Sequence, residues 1–285
     1  MAADEPAWHP TYGRITGMTV EVAPGTYTEY VYITARFLTL KGAGVGQTFL
    51  TTGTTSWGPG WTAAIYVRSN PVYIEGFTIR DSTAGVLVYE GARVHVVNCE
   101  FTGNGQALWS QGGNLYVLDT PLANNDGGVY LIVGAVAQLT NVPITGTGPE
   151  YSIGVEAYHQ SSVTISSNTT PPAAITNHYV GIWVRQSSFV IAEGVDLTGN
   201  VFGGWATEMS QLRVASASVT NNTYVGLGAN QMSYLFLGGD VTVSGNGGPA
   251  MRGIQINNFA RALLMGTNTI TDQIFTDDSG DYRIR

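Results

Sequence analysis

An apolar pair at alternate positions, followed by a small polar turn, returns about every 22 residues along this 285-residue chain. Its copies include FTIRDSTAG, CEFTGNG, TPLANND, VPITGTG, VDLTGNV, SVTNNT and VTVSGNG. The last apolar residue of each copy falls at Ile79, Phe101, Leu122, Ile144, Ile175, Leu197, Val219, Val243 and Ile270, with spacings of 22, 21, 22, 31, 22, 22, 24 and 27. Self-similarity at such a period marks a solenoid, because one unit cannot bury its own apolar face and must stack on its neighbours.

Each period contains further apolar pairs. Between Gly85 and Phe101 these are Val86/Val88, Val94/Val96 and Cys99/Phe101, and the same layout returns as Ile182/Val184, Phe189/Ile191 and Val195/Leu197. Three short period-two runs, each bounded by Gly, Asn or Ser, predict three strands and three turns per coil. No long amphipathic helix is written into the chain, and neither a leucine-rich frame nor a 40-residue propeller blade fits. The predicted fold is therefore all-β: a single-stranded right-handed parallel β-helix with three parallel sheets and about 22 residues per coil. Residues 1–18 are expected to form an N-terminal flank or cap, 19–272 the β-helix, and 273–285 a C-terminal coil or cap. Open strand edges at the two ends must be capped or paired, with Trp8 to Ile15 expected over the first coil and Ile274 to Arg285 over the last. Solenoid ends or faces also offer a route to homo-oligomers.

Thirty-seven glycines suit many tight turns. A net charge of −8 with a single lysine, Lys41, speaks against nucleic acid, whose phosphates call for clustered Lys and Arg. No apolar stretch is long enough to span a membrane. Met1 to Pro10 lacks the basic and apolar parts of a signal peptide, so a secreted or cell-surface protein is expected with its signal already removed. The single cysteine, Cys99, is expected to face inward in a column with Phe77, Thr120 and Val142, as a small buried hydrophobe. His9, His159 and His178 lack the spacing of a metal site, and no metal or other cofactor is expected. The polar row Asp81, Asn104, Asn124, Asn200, Asn221, Asn246 and Asp272 follows the third strand of successive coils and reads as a corner ladder of turn residues. Asn168-Thr169-Thr170 and Asn221-Asn222-Thr223 match the glycosylation acceptor pattern, which only a eukaryotic secretory host would use.

The stretch VEVAPGTYTEYVYITARFLTLKGAG, with Pro24, Gly25, Tyr27, Glu29, Leu40, Gly42 and Gly44, resembles the opening of pectin lyase-like β-helix chains, pectin methylesterases included. That resemblance implies the fold and leaves activity open. The catalytic segments of the methylesterases, polygalacturonases and pectate lyases are absent; where a methylesterase motif would follow Phe77-Thr78-Ile79, the chain reads Ser82-Thr83-Ala84-Gly85-Val86-Leu87. Asp277-Asp278 stands in the tail without the companions of a polygalacturonase site.

Candidate site residues follow from stacking the coils. The first strands are expected to point Ile65/Val67, Val86/Val88, Ala107/Trp109, Val129/Leu131, Ile153/Val155, Ile182/Val184, Trp205/Thr207, Leu227/Ala229 and Ile254/Ile256 inward. The residue after each pair then faces out, giving Arg68, Tyr89, Ser110, Ile132, Glu156, Arg185, Glu208, Asn230 and Asn257. In that column Glu156, Arg185 and Glu208 form an acidic, basic, acidic ladder. Two coils separate the carboxylates by about 9.6 Å at the backbone, close to the upper end of the roughly 6.5–9.5 Å spacing of inverting glycosidases. Glu156 and Glu208 are the candidate catalytic residues, and Arg185, Trp183, Tyr158 and His159 the candidate substrate-binding residues. On the second strands Tyr73, His95 and Tyr116 are expected to stack outward as an exposed platform for sugar faces. The same two rows also read as a surface ion-pair row and a structural ring ladder.

Two departures from the period add loops, at Ser166 to Pro172 and at Thr51 to Trp61. The first is expected to wall the Glu156 face, since binding residues gather on loops held by rigid scaffolds. Two function classes follow: a carbohydrate-interacting β-helix, acting as a polysaccharide hydrolase or lyase if it is an enzyme, and a non-catalytic structural or adhesive surface or fibre module.

Overall fold

The computed structural model describes residues 8–9, 13–14, 17–54, 62–148, 150–248, 252–277 and 279–284. Three parallel sheets wrap one core. The first sheet has 11 strands, from Val31–Ile33 to Gln273–Thr276; the second has 12, from Met18–Val22 to Asp281–Ile284; the third has 11, from Gly25–Thr28 to Thr269–Ile270. Every pairing within them is parallel, each strand joining its counterparts one coil away, which defines a parallel β-helix. A separate antiparallel pair, Trp8–His9 with Gly13–Arg14, lies near the N-terminus. No helix occurs among the described residues. Gln273–Thr276 and Asp281–Ile284 form the last strands of the first and second sheets.

The core is a stack of columns. Ile79, Phe101, Leu122, Ile144, Ile175, Leu197, Val219 and Val243 are fully buried in the third sheet. Each such side chain contributes about 1.5–3 kcal/mol of burial. Cys99 is buried with Phe77, Thr120 and Val142 as the spacing predicts, and burial pushes its thiol up to about 12, which suppresses thiolate chemistry.

The corner between the third and first sheets is held by a buried amide ladder. Asn200 Oδ1 accepts from the His178 N–H while its Nδ2 donates to the Ile175 carbonyl, and Asn222 repeats this with Asn200 N–H and the Leu197 carbonyl. Asn104, Asn125 and Asn246 do the same in other coils, and Asp272 closes the run. Asn125 and Asn222, rather than Asn124 and Asn221, are the ladder members. Asn124 and Asn221 hold the left-handed backbone of the turn, both at φ 56°, as does Asp81 at φ 48°.

Beside the ladder runs a column of small residues near the start of most first-sheet strands. A Cβ on Gly154 or Gly181 would sit 2.5 Å from the carbonyl oxygen of the next coil, so only glycine allows this approach.

The inward register of the first sheet holds for Ile65/Val67, Val86/Val88, Val129/Leu131, Ile182/Val184, Leu227/Ala229 and Ile254/Ile256. It differs at three coils. Leu108/Ser110 face in rather than Ala107/Trp109, Val155/Ala157 rather than Ile153/Val155, and Gly204/Ala206 rather than Trp205/Thr207. In the second sheet Val190/Ala192 face in and Phe189/Ile191 face out. At most of these places the outer residues are larger and more apolar than the inner ones, which inverts the hydrophobic pattern. Ser110 tolerates its inward position because its hydroxyl donates to the Gly113 carbonyl.

Candidate functional site

The corrected register splits the predicted ladder. Successive first-sheet strands align Tyr32, Tyr66, Leu87, Trp109, Tyr130, Glu156, Trp183, Trp205, Gly228, Gln255 and Phe275 as one outward row. The row beside it carries Arg68, Tyr89, Gln111, Ile132, Tyr158, Arg185, Thr207, Asn230 and Asn257. Glu156 therefore belongs to the first row and Arg185 to the second. Glu208 belongs to neither: it follows the strand Phe202–Ala206 in a left-handed turn at φ 58°. Ser110, expected outside, points inward.

Glu156 and Arg185 nevertheless meet. Arg185 Nε lies 2.8 Å from Glu156 Oε1, and its guanidinium lies over the rings of Tyr158 at 4.3 Å and Trp183 at 4.4 Å. Such stacking holds a cation in place while leaving its remaining N–H donors outward. Burial pushes the Glu156 carboxyl above the ordinary range, against the opposing pull of Arg185. Tyr130, its neighbour one coil back, is also raised, first by burial and then by the Glu156 charge. His159 sits in the turn beyond Tyr158 and stacks on its ring at 3.8 Å.

A pocket of about 150 Å³ opens between Tyr130 and Glu156, with Gln106, Asp126, Tyr151 and Ile153 among its walls. Tyr151 projects into solvent at 94% exposure, and Asp126 accepts a hydrogen bond from the Thr147 hydroxyl. Further along the same edge Phe202 packs against Tyr179, Trp205 and Tyr224 with ring centroids 5.1–5.5 Å apart. At the other end Leu87 and Trp109 make an apolar cluster on the outside of the sheet with Tyr66, Tyr89, Tyr130 and Ile132. Several buried polar atoms on this face have no partner among the described residues: Trp183 Nε1, Glu208 Oε2, Gln255 Oε1 and Asn257 Oδ1. Unpaired buried polar atoms are costly unless water or a ligand meets them.

Tyr73, His95 and Tyr116 stack as expected, with centroids 4.5 and 4.8 Å apart and near-parallel planes. They do not form an exposed platform, since Tyr73 is 9% and His95 4% exposed. The Ser166 to Pro172 loop also differs from expectation. It joins the second sheet to the third, at the corner opposite the Glu156 face, where Asn168 N–H donates to Asn141 Oδ1. The extra residues that do border Glu156 lie between Ile144–Gly146 and Ile153–Ala157 and include Tyr151. Of the Thr51 to Trp61 loop, residues 55–61 lie outside the described residues.

Sequence reasoning missed Tyr130, Trp205, Gln106, Asp126 and Tyr151. The signal was present in the residue between each inward pair, which is aromatic at 66, 130, 183 and 205. No groups of three or more His, Cys, Asp or Glu able to hold a metal occur among the described residues.

A family model described as the right-handed β-helix region matches residues 61–170. Among solved structures the chain is similar to a DFA-IIIase from Arthrobacter chlorophenolicus A6, without its lid and in complex with GF2. The TM-score there is 0.69 at 13% identity, covering 98% of this chain and 86% of that one. It is also similar to the A-module of a mannuronan C-5 epimerase from Azotobacter vinelandii, with a TM-score of 0.63 at 13% identity over 94% and 89% of the two chains. PfbA, a surface adhesin of Streptococcus pneumoniae, aligns with a TM-score of 0.50 at 10% identity over 94% and 85%. No curated protein matches the sequence. These likenesses establish the fold, a right-handed parallel β-helix, and no particular activity.

Proposed function

We propose that this right-handed parallel β-helix binds a polysaccharide along the outer face of its first sheet, with Glu156 and Arg185 at the centre of the groove. The observation that carries the reading is the outward row itself, in which the half-buried rings of Tyr130 and Trp183 flank a lone carboxylate and Trp205 extends the line beyond Trp183. Flat rings at coil spacing present apolar surface at little entropic cost. A sugar chain lying along the helix axis meets one ring after another. Carbohydrate also appears in the names of the structural neighbours, as mannuronan and as the GF2 complex.

In this groove Glu156 is the group proposed to carry a proton to or from the bound sugar, since burial keeps its carboxyl above the ordinary range. Arg185 orients it and offers its remaining N–H donors, Trp183 and Tyr158 hold the guanidinium, and His159 and Glu208 border the groove at the turn corner. A second reading, a non-catalytic adhesive module, is favoured by one observation: Glu208 does not share a row with Glu156, so the carboxylate pair of a glycosidase is not assembled along one strand position. Glycan-array binding by wild type and Trp183→Ala, with a reducing-end and unsaturated-product assay on wild type and Glu156→Gln, tests both. Binding lost in Trp183→Ala supports the groove. Products formed by wild type and lost in Glu156→Gln support catalysis, binding without products leaves the adhesive reading, and no glycan binding by wild type overturns the proposal.

A further inference from the structure

A second pocket, of about 220 Å³, lies on the outer face of the second sheet near its C-terminal end. Its floor is a ring pair on one strand: Tyr234 and Phe236 stand 6.2 Å apart with planes within 17° of each other. The next coil places Arg261 beside Tyr234 and Leu263 beside Phe236, and the last strand places Asp281 and Arg283 beside those. On the preceding coil Arg213 neighbours Phe236. Tyr234 is 39% exposed, so this ring face is open, unlike the closed stack at the other end of the same sheet.

The charges here differ from those of the groove. Arg185 is tied to Glu156, whereas Arg261 and Arg213 have no carboxylate within ion-pair distance among the described residues. Only Arg283 is paired, with Asp281 at 3.5 Å, and both of those side chains are more than half exposed. In a chain of net charge −8, two unpaired guanidinium groups flanking an open ring pair form a local exception. We infer that this pocket is a second saccharide site, selective for sugars that carry a carboxylate, with Tyr234 and Phe236 stacking on the ring and Arg261 pairing its carboxylate. A guanidinium fork matches a carboxylate bidentately, and adjacent apolar rings fit the C–H face of the same sugar. The overall negative charge disfavours a nucleic acid strand, whose phosphates need more cations than two.

Titration calorimetry at low salt with a hexagalacturonate and with a neutral gluco-oligosaccharide of equal length tests the site on wild type, Arg261→Gln, Tyr234→Ala and Trp183→Ala. The expected result is hexagalacturonate binding that falls at least tenfold in Arg261→Gln and in Tyr234→Ala, weakens with added salt, and is unchanged in Trp183→Ala. Arg261 is exposed, so Arg261→Gln keeps the fold and carries the test if Tyr234→Ala does not express. Absence of hexagalacturonate binding by wild type, binding unaffected by Arg261→Gln, or equal loss in Arg261→Gln and Trp183→Ala overturns the proposal. So does tighter binding of a single-stranded oligonucleotide than of the uronate. Because Trp183→Ala reports on the groove alone, failure of one site is distinguishable from failure of the other.

Discussion

Two rows of rings run along this solenoid at the same coil repeat, and they end in opposite states. Tyr73, His95 and Tyr116 lie face to face at 4.5 and 4.8 Å, so each ring spends its faces on its neighbours and the row closes. On the first sheet Trp109 and Tyr130 are tilted by 56° at 5.5 Å, and Glu156 then interrupts the aromatic sequence. Trp205 folds over Gly228 of the next coil, where a Cβ would meet its ring at 2.0 Å. Periodic aromatic spacing therefore does not by itself make a ligand platform. About 4.8 Å between coils falls within the range of stacked rings, so an unbroken stacked run satisfies itself, whereas Glu156 separates Tyr130 from Trp183 and both of those rings stay partly exposed.

The largest expected effect tests whether the open row stands on the register described. Val184 is fully buried between the outward residues Trp183 and Arg185. Val184→Asp places an unpaired charge in the core and is expected to cost about 4 kcal/mol or more. Thermal or urea denaturation checks this, and a Val184→Asp protein as stable as wild type would break the assignment of inside and outside on which the two rows are compared.

How much of this was legible in the sequence depended on which side of each strand was the more apolar. Where inner residues are large, as at Val86/Val88 or Ile182/Val184, period-two reading gave the right face. Where the outer face carries Trp109, Trp205 or Phe189 and the inner face Ser110, Gly204 or Ala192, the same rule chose the wrong face, because hydrophobicity reports size and not direction. A register error of one residue flips every side chain, as in the coil before Glu208. In the Glu156 coil the shift is two residues, which keeps Glu156 outward but aligns it with Trp183 and not Arg185. Together these made Glu156 and Glu208 look like members of one column. The pairing of Glu156 with Arg185 survives the correction because a long guanidinium side chain reaches across adjacent rows. Tyr151 was hidden for a different reason: it lies in an insertion, where no periodic neighbour announces it.

The second effect concerns what lies behind the open row. His178 occupies the ladder position held by Asn200 in the next coil, is fully buried, and its ring packs against Gly146 and Gly154, the latter two residues before Glu156. Burial pushes it down to about 4. The unfolded chain therefore takes up a proton below about 6.5 that the fold refuses until about 4, so stability is full above 6.5 and falls as pH drops through that window. The loss is on the order of 3 kcal/mol at 1.36 kcal/mol per pH unit. Subtracting the stability–pH curve of His178→Asn from that of wild type isolates this term from the carboxylates, and a flat difference between pH 4.5 and 6.5 would show that His178 is not held neutral.

Third comes Trp183→Ala, which removes a ring from the middle of the open row. If that row is the glycan groove, affinity falls by about 2 kcal/mol, roughly thirtyfold, as for a central aromatic anchor. The melting temperature should move little beside that of Val184→Asp, because Trp183 is only partly buried. A large loss of stability with unchanged binding would instead place Trp183 among the structural rings.

The smallest effect is the mirror of that one and decides whether the two rows differ as described. His95 lies between Tyr73 and Tyr116, with both ring faces covered. His95→Leu keeps an apolar side chain of similar bulk and removes two stacked pairs, each worth about 0.5–1.5 kcal/mol beyond burial, part of which the leucine recovers by contact with the tyrosine faces. The expected net cost is about 1 kcal/mol of stability, read by denaturation, with glycan affinity identical to wild type by calorimetry. The closed row would then stabilise coils and do nothing else. A His95→Leu protein that keeps its stability but loses glycan binding would reverse the assignment, making the stacked rings the platform and leaving the row around Glu156 as the structural one.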